Sequence, residues 1–373
     1  MSSLSNLSLY KAPKPDYPHS NRALAIFLRI IFPIILLWDL ISYLVNKAVA
    51  NSDGLLNQYL PSRMKKEVDH SALSELTSAQ VSSHIVKTHD GAELETLDIK
   101  PKDKDLDKEA PCIINFLGND SLFSDLEEVE SLKEQVDDQS MRVVAFHYRD
   151  VGGSKGKIKC ADDFVIDGIA QVQRLLDEGV QPNKITLKGH SFGGAIASKV
   201  AAHFHRLGKT IKVFNDRSFS TGTNRYVSSY RYKSIEGSYP IKTTGNKFIA
   251  MLMYPFIKLF LVLSQFEINA GKAFKSVPEA YRDYIVIRPL KIERSRMFDP
   301  YMPHYASIHR MLNAGSGRHK EACQHEFVPN LNEFPSKLYT KYYPHSTPLR
   351  YLKSSKTGEE QTALAYFKDF VAK

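Results

Sequence analysis

The stretch Ile185–Gly194 (ITLKGHSFGG) places one serine where it could act as a nucleophile. Its apolar start predicts a short buried strand, and the small residues that follow it predict a helix packed closely on a sheet. A tight turn between the two would hold Ser191 in a strained conformation, and Gly189 and Gly193 leave the space that this turn needs. The first amides of the helix, beginning with that of Phe192, would face an oxyanion. Ser191 is therefore the predicted nucleophile.

A serine hydroxyl is a poor nucleophile at neutral pH, so it needs a histidine base that a carboxylate orients, in the chain order Ser, Asp, His. The carboxylate is expected after the strand predicted at Ile285–Arg288, and Asp299 lies there in the run RMFDPYMP. An aspartate before proline also suits a turn or a helix N-cap. Asp216, which directly follows the preceding predicted strand, is the alternative acid, and Asp299 is our prediction.

Thirteen histidines compete for the role of base. His345 lies between a strand-like stretch at 337–342 and a closing amphipathic helix at 360–371. A loop between the last strand and the last helix is where the base of this arrangement is expected. We predict His345 as the base, with His325 as the alternative and His319 as a third candidate.

The oxyanion needs a second amide, which is expected from the loop after the predicted strand Cys112–Phe116. Asn119 is the predicted donor, and a plain turn from strand to helix is the alternative. The three cysteines are odd in number and lack the spacing of a zinc site or a disulfide framework. We predict no metal and no cofactor, and a reducing compartment.

Strands and helices alternate from residue 112 to residue 215 at the spacing of βαβ units, which predicts a mostly parallel central sheet with helices on both faces. The turn Asp90-Gly91, between Ser83–Thr88 and Glu93–Ile99, predicts an antiparallel hairpin at its start. With the nucleophile turn, this order is typical of the α/β class and of the α/β-hydrolase fold, which would comprise residues 80–373. An apolar run at 248–266 interrupts the alternation and predicts a helical cap inserted at about 219–283. A helix pair packed on the sheet is the alternative.

The chain before the hairpin divides by composition into three parts. Residues 1–22 are polar and basic and predict a flexible arm, residues 23–50 predict an apolar helix, and residues 51–79 form a charged connector. The apolar helix could lie at a membrane interface or pack on the protein. A full span is an alternative, but Arg29 and Asp39 would each cost about 3 kcal/mol at the bilayer centre. A signal peptide is a further alternative.

Charge and composition narrow the partners. The chain has 373 residues with 50 Lys and Arg against 41 Asp and Glu, a net charge of +9 that suits an anionic membrane or an acidic partner. Its basic residues form no aromatic-interleaved cluster, so we predict no nucleic-acid binding. We predict membrane contact through residues 23–46, with 248–266 as a second candidate contact, and the sequence leaves the oligomeric state open.

Three ordered motifs carry a resemblance to a known family. The chain contains Tyr148–Ser154 (YRDVGGS), then Gly189–Gly194 (GHSFGG), then Asn215–Ser220 (NDRSFS). This set resembles the CHLPS family first seen in Chlamydia and the SidB-type α/β-hydrolases that Legionella delivers into host cells by type IV secretion. The resemblance covers roughly residues 25–370 and implies a lipase- or esterase-like fold, an apolar leader and a role as a secreted effector. Asp150 departs from the pattern, which has glycine there.

The sequence therefore predicts a membrane-associated serine esterase or lipase. His345 would take the proton of Ser191, Asp299 would hold the imidazolium, and the amides of Phe192 and Asn119 would bind the oxyanion. The apolar segments favour a lipid-like ester as the substrate. The alternatives are acyl transfer by the same residues, and a non-catalytic effector of this fold that binds a host membrane or protein.

Overall fold

The computed structural model describes residues 8–18, 79–101, 110–119, 121–136, 141–231, 246–292, 295–297, 299, 301–312, 324–330, 344–356 and 360–373. The strands of these residues are β1 (Ser8–Lys11), β2 (Ala79–Lys87), β3 (Glu93–Pro101), β4 (Cys112–Phe116), β5 (Arg142–Phe146), β6 (Ile185–His190), β7 (Lys212–Asp216), β8 (Arg282–Ile287), β9 (Leu290–Ile292), β10 (Ser295–Met297), β11 (Glu326–Pro329) and β12 (Leu352–Ser354). Their α-helices are α1 (Leu126–Val136), α2 (Ala161–Asp177), α3 (Phe192–Arg206), α4 (Gly222–Arg231), α5 (Lys247–Leu263), α6 (Ala270–Ser276), α7 (Ile308–Leu312) and α8 (Ala363–Ala372).

One sheet of ten strands organises the described residues, in the order β1-β2-β3-β5-β4-β6-β7-β8-β11-β12. The six strands from β5 to β11 in this order run parallel to their neighbours. Every residue of β4, β5 and β7 is buried, as expected for parallel strands covered on both faces. β9 and β10 form a separate pair.

Helices cover both faces of this sheet because adjacent residues of a strand point to opposite sides. In β4, Ile114 belongs to the main core cluster, which also holds apolar residues of α2 and α3. Its neighbour Ile113 belongs to a second cluster, which includes Phe367 and Phe370 of α8. The predicted mostly parallel sheet with helices on both faces is thus confirmed.

The predicted hairpin is also present. β2 and β3 pair antiparallel from Ala79↔Pro101 to Lys87↔Glu93. Gly91 has φ of +94° in the turn, a backbone conformation that glycine adopts without strain. β3 then pairs antiparallel with β5, which connects the hairpin to the parallel part of the sheet.

The described part of the predicted arm contacts the folded domain. Ser8–Lys11 forms β1, which pairs parallel with β2. Farther along, Tyr17 is buried, and its hydroxyl donates a hydrogen bond of 3.1 Å to Asp162. The segment 8–18 is thus joined to the sheet and to α2. The predicted apolar helix at 23–50 and nearly all of the connector at 51–79 lie outside the described residues.

Between β7 and β8 the described residues form α4, α5 and α6, where the sequence predicts the cap. Ala250, Ile257, Leu261 and Leu263 of α5 are buried, and α5 packs against α4. Across the described ranges, no helix is both long enough and apolar enough to cross a bilayer.

Two short strands near the C-terminus were not predicted from the sequence. β11 pairs parallel with β8, and β12 pairs antiparallel with β11, which extends the sheet by two strands that the sequence pattern does not reveal. The strand-like stretch at 337–342 lies outside the described residues. The predicted closing helix is present as α8.

Candidate active site

Ser191 stands between the end of β6 and the first residue of α3. Its φ is 53° and its ψ is −118°, a backbone conformation that costs a residue with a side chain on the order of 1–3 kcal/mol. Its N–H donates to the backbone oxygen of Asp216 at 2.9 Å, and its own carbonyl accepts from Gly194 at 3.1 Å. The turn is therefore sharp and strained, as the sequence predicts.

The glycines around Ser191 are required by close backbone approach. A Cβ on Gly193 would lie 2.0 Å from the carbonyl oxygen of Phe116, because α3 begins directly against the end of β4. A Cβ on Gly189 would lie 2.5 Å from the oxygen of Gly193. Neither position can hold a side chain without moving backbone, so these glycines set how near α3 comes to the sheet.

The three residues predicted as nucleophile, base and acid converge. The hydroxyl of Ser191 lies 2.8 Å from Nε2 of His345. Nδ1 of His345 lies 2.7 Å from Oδ2 of Asp299. With the Nδ1 proton directed at the carboxylate, Nε2 is left as the acceptor for the hydroxyl proton.

Asp299 is fixed by its own turn. Its Oδ1 accepts hydrogen bonds from the backbone N–H groups of Tyr301 at 2.9 Å and Met302 at 2.7 Å. Burial opposes ionisation of this carboxyl, but the His345 ring and the hydrogen bond from Met302 outweigh it and hold the pKa of Asp299 below its ordinary value. The carboxylate stays charged beside His345.

The alternative acid has other partners. Asp216 receives hydrogen bonds from Arg217 at 2.6 Å and 2.9 Å, and its Oδ2 lies 3.3 Å from Nδ1 of His190. Burial raises the pKa of Asp216, but Arg217 and His190 lower it by a larger amount. The pKa of this carboxyl therefore lies well below the usual range. Arg217 also donates to the backbone oxygen of Thr347 at 2.7 Å. Asp216 and Arg217 thus support the loop that carries His345.

The alternative bases lie elsewhere. His325 pairs with Asp283 at 3.2 Å and stacks on Tyr284 with 4.1 Å between ring centroids. Its contacts are therefore with the first residues of β8. His319 lies outside the described residues. Among the described histidines, His345 is the one that an observed hydrogen bond joins to Ser191.

A second histidine lies beside the first. The rings of His190 and His345 have centroids 4.8 Å apart. Burial of the ring lowers the pKa of His190 to about 4, although the Asp216 carboxylate acts in the opposite direction. His190 is therefore neutral at physiological pH and does not oppose the charge that His345 would acquire.

The two residues predicted to bind the oxyanion line a cleft beside Ser191. Asn119 and Phe192 line it together with Ser191. The loop before Asn119 comes close to the serine, since a Cβ on Gly118 would lie 3.6 Å from the Cβ of Ser191. Both loops that could supply amides thus reach the serine.

Sequence reasoning missed the rest of the cleft wall. Phe219, Arg225, Tyr226 and Met302 line it, and Arg225 is the only charged residue among the described lining residues. The guanidinium of Arg225 lies 5.7 Å from the ring centroid of Tyr301, whose ring is 5.6 Å from that of His345. The aromatic and basic composition of α4 was the available signal, but it does not say which side chains face the serine.

One group of described residues has the side-chain types of a metal site. Atoms of His304, His309 and Glu326 that could act as ligands lie within 4.8 Å of one another. His304 Nε2 already bonds the carbonyl of Ile287 at 3.0 Å, and His309 Nδ1 bonds the hydroxyl of Tyr284 at 3.0 Å. Nε2 atoms of both histidines are 3.9–4.0 Å from Glu326 Oε1, wider than the separation of about 3.4 Å that 2.1 Å bonds in a tetrahedral site require. The group is explained as a polar network between α7 and the sheet.

A family model described as "alpha/beta hydrolase fold" matches residues 119–212. This span includes the nucleophile turn and ends at the first residue of β7. The fold is that of an α/β-hydrolase. Within this fold the six parallel strands place Ser191 at the carboxyl end of a central strand, where ligands of open α/β sheets bind.

Three solved structures illustrate the likeness of this chain to known proteins. An esterase from Pyrococcus furiosus is 19% identical, with 58% of this chain and 71% of that chain covered and a TM-score of 0.40. An alpha-beta hydrolase from Vibrio vulnificus is 16% identical, with 64% and 77% covered and a TM-score of 0.43. Acetyl xylan esterase 1 from a Thermoanaerobacterium species is 17% identical, with 64% and 74% covered and a TM-score of 0.43.

The search of curated proteins found no match to this chain. The finer resemblance to the CHLPS and SidB-type proteins, with its effector role, stays a prediction. The residue that departs from that pattern, Asp150, has φ of 63°, in the left-handed region that favours glycine. A glycine would adopt this backbone conformation without strain.

Proposed function

We propose that this protein is a serine hydrolase that cleaves a carboxylic ester, with Ser191 as nucleophile, His345 as base and Asp299 as orienting acid. The observation that supports it is the unbroken line of short contacts from the Ser191 hydroxyl through the His345 ring to the Asp299 carboxylate. Such a line is what the proton transfer of this chemistry requires.

In the acylation step, Nε2 of His345 takes the hydroxyl proton while Oγ of Ser191 bonds to the ester carbonyl carbon. The carbonyl oxygen becomes an oxyanion, which the amides of Phe192 and Asn119 would stabilise. The imidazolium, beside the ionised Asp299, then gives its proton to the leaving alcohol, and the ester C–O bond breaks. Water attacks the acyl-serine by the same route and releases the acid.

The cleft wall suggests the kind of ester. Phe192, Phe219, Tyr226 and Met302 supply apolar surface beside the nucleophile, which suits an acyl chain. Arg225 adds one positive charge to the same wall, which suits a substrate that carries an anionic group near its ester. A lipid-like ester with an acidic head group combines both properties, and we propose this class as the substrate.

Labelling with a fluorophosphonate tests the chemistry. We expect the full chain to form a covalent adduct that intact-mass analysis detects, and the Ser191→Ala variant to form none. Ser264→Ala, which changes a partly buried serine at the end of α5, should label like the parent. A folded parent that forms no adduct would contradict the proposal and favour the non-catalytic binding protein.

Product analysis separates hydrolysis from acyl transfer. The parent is given a soluble short-chain ester with and without an excess of a second alcohol, such as glycerol. Free acid as the main product in both cases supports hydrolysis. A new ester as the main product would show that the same serine chemistry serves an acyltransferase.

A further inference from the structure

Helix α5 carries an unusual amount of exposed apolar surface. Eleven large hydrophobic residues are exposed in the described part of the chain, and eight of them lie on this one helix. Phe248, Met251 and Phe256 are each more than 60% exposed. Apolar surface concentrated in this way marks an interaction site in a folded protein. The eight residues, called the α5 face below, are Phe248, Ile249, Met251, Leu252, Tyr254, Phe256, Leu259 and Val262.

The α5 face is presented by a helix that is packed in place. Ala250, Ile257, Leu261 and Leu263 form its buried side, and the first three belong to the main core cluster. The N-cap is made as well, since Asn246 accepts hydrogen bonds from the N–H groups of Phe248 and Ile249. The apolar residues therefore remain exposed on a docked helix.

The charge pattern of α5 indicates what covers this face. Lys247 and Lys258 are exposed on the helix, and its seventeen residues include no Asp or Glu. A helix that combines a broad apolar face with lysines and no acidic residue suits the interface of an anionic bilayer, where the side chains enter the acyl region and the ammonium groups meet lipid phosphates.

Helix α5 is joined to the cleft wall through α4. Helix α4 carries Arg225 and Tyr226 of the cleft wall and packs against α5. Docking of α5 would thus hold a bilayer one helix away from the wall beside Ser191, which would favour a lipid ester as the substrate.

We propose that α5 is a docking surface for an anionic lipid bilayer. The benefit for catalysis rests on the proposed function, but binding itself needs no reaction. Docking is therefore measured on the full-length Ser191→Ala variant. Hydrolysis of a soluble short-chain ester is measured separately on the chain that keeps Ser191.

The first experiment compares vesicles of phosphatidylcholine with vesicles that also contain phosphatidylglycerol, by co-sedimentation. We expect stronger partition onto the anionic vesicles. Changing Phe248, Met251 and Phe256 together to serine should weaken it at least about tenfold, since each loses contact with the acyl region. Leu207, on the surface just after α3, is 46% exposed, as is Val262 of the α5 face. The control Leu207→Ser should leave partition unchanged.

The second experiment addresses the charges. Lys247→Gln with Lys258→Gln should reduce the preference for anionic over neutral vesicles and leave the α5 face apolar. Because these residues are exposed, the variant should fold like the parent, and far-ultraviolet circular dichroism checks this. An unchanged preference would overturn the assignment of an anionic bilayer as the partner.

A site-specific probe separates α5 from the predicted membrane contact at 23–46. An environment-sensitive dye on Phe256→Cys should shift to shorter wavelength when anionic vesicles are added, and the same dye on Leu207→Cys should not. Cys112 and Cys160 are buried, and labelling of the unsubstituted chain gives the background. No shift at position 256, or an α5-dependent dimer in light scattering without vesicle binding, would overturn the proposal. Loss of docking with intact hydrolysis of the soluble ester would leave the proposed function standing.

Discussion

Oδ2 of Asp299 lies 2.7 Å from Nδ1 of His345, although 46 positions separate the two residues in the chain. The contact joins the turn after β10 to the loop between β11 and β12, and a hydrogen bond between a side chain and the backbone holds each of these segments. A second His–Asp pair, His325 with Asp283, lies at the rim of the same sheet at 3.2 Å. The two pairs differ in whether the histidine reaches Ser191, so the second pair serves as a control for the first.

Replacing Asp299 with asparagine removes the charge that orients His345 but keeps the shape of the side chain. We expect kcat on a soluble ester to fall by about 10⁴, because the histidine adopts the wrong tautomer and its imidazolium loses a partner. Steady-state kinetics measure the change. Asp283→Asn should retain the parent kcat, and a comparable loss in both variants would contradict the assignment of Asp299.

His345→Gln removes the base while leaving a polar side chain in the loop. We expect turnover to fall by about 10⁴ or more, with the fluorophosphonate adduct forming correspondingly slowly, because Ser191 then has no group to accept its proton. The rate of labelling gives a readout that does not depend on the substrate. His325→Gln is the matched control, and it should label at the parent rate.

Arg217→Gln leaves the Asp216 carboxylate without its main partner. Both side chains are buried, so we expect the free energy of unfolding to fall by about 3 kcal/mol or more. The loop of His345 also loses the hydrogen bond to Thr347, so kcat should fall while KM for a short ester changes little. Urea unfolding and kinetics measure the two effects. A parent-like kcat would show that this loop keeps its position without Arg217.

Gly193→Ala introduces a methyl group where 2.0 Å separates its position from the oxygen of Phe116. Backbone must move to relieve this overlap, so we expect a loss of more than about 3 kcal/mol of stability. Gly91→Ala is the comparison, since φ is +94° there but the space is open, and it should cost only about 1–2 kcal/mol. Equal losses at the two positions would argue against tight packing of α3 on β4.

His190 makes folding sensitive to pH. Its pKa is about 4 in the folded chain and 6.5 for an unperturbed side chain, so between these values the unfolded state binds more protons. Stability should therefore rise with pH through this window and lose this increment as pH falls toward 4. His190→Gln should reduce the slope by at most about 1.4 kcal/mol per pH unit, measured by urea unfolding at a series of pH values. An unchanged slope would mean that the His190 ring is protonated as readily in the folded chain as in the unfolded one.

Much of the architecture could be predicted because its signals are local. The strand, turn and helix around Ser191 occupy one continuous stretch, and the hairpin turn at Asp90-Gly91 occupies another. The order of strands and loops then leaves only a few candidate residues for the acid and for the base. The structure places Asp299 and His345 together, and their catalytic roles stay predictions.

The remaining features depend on contacts between distant parts of the chain. β1, β11 and β12 have only three or four residues each, too few for a periodic pattern. Asp216 looked like an acid because it ends a strand, but its partner Arg217 and the link to Thr347 appear only in three dimensions. For the same reason the sequence indicated an apolar run at 248–266 without showing which of its side chains stay outside.

The placement of Ser8–Lys11 along β2 has a consequence for self-association. β2 is nine residues long, and β1 satisfies backbone N–H and C=O groups on its outer side from His84 to Lys87. Proteolytic removal of the first eleven residues would leave those groups unpaired. An edge strand with unpaired backbone groups can pair with a strand of another chain. By pairing with β2, the short strand β1 thus protects this edge of the sheet from intermolecular strand pairing, independent of any chemistry at the serine.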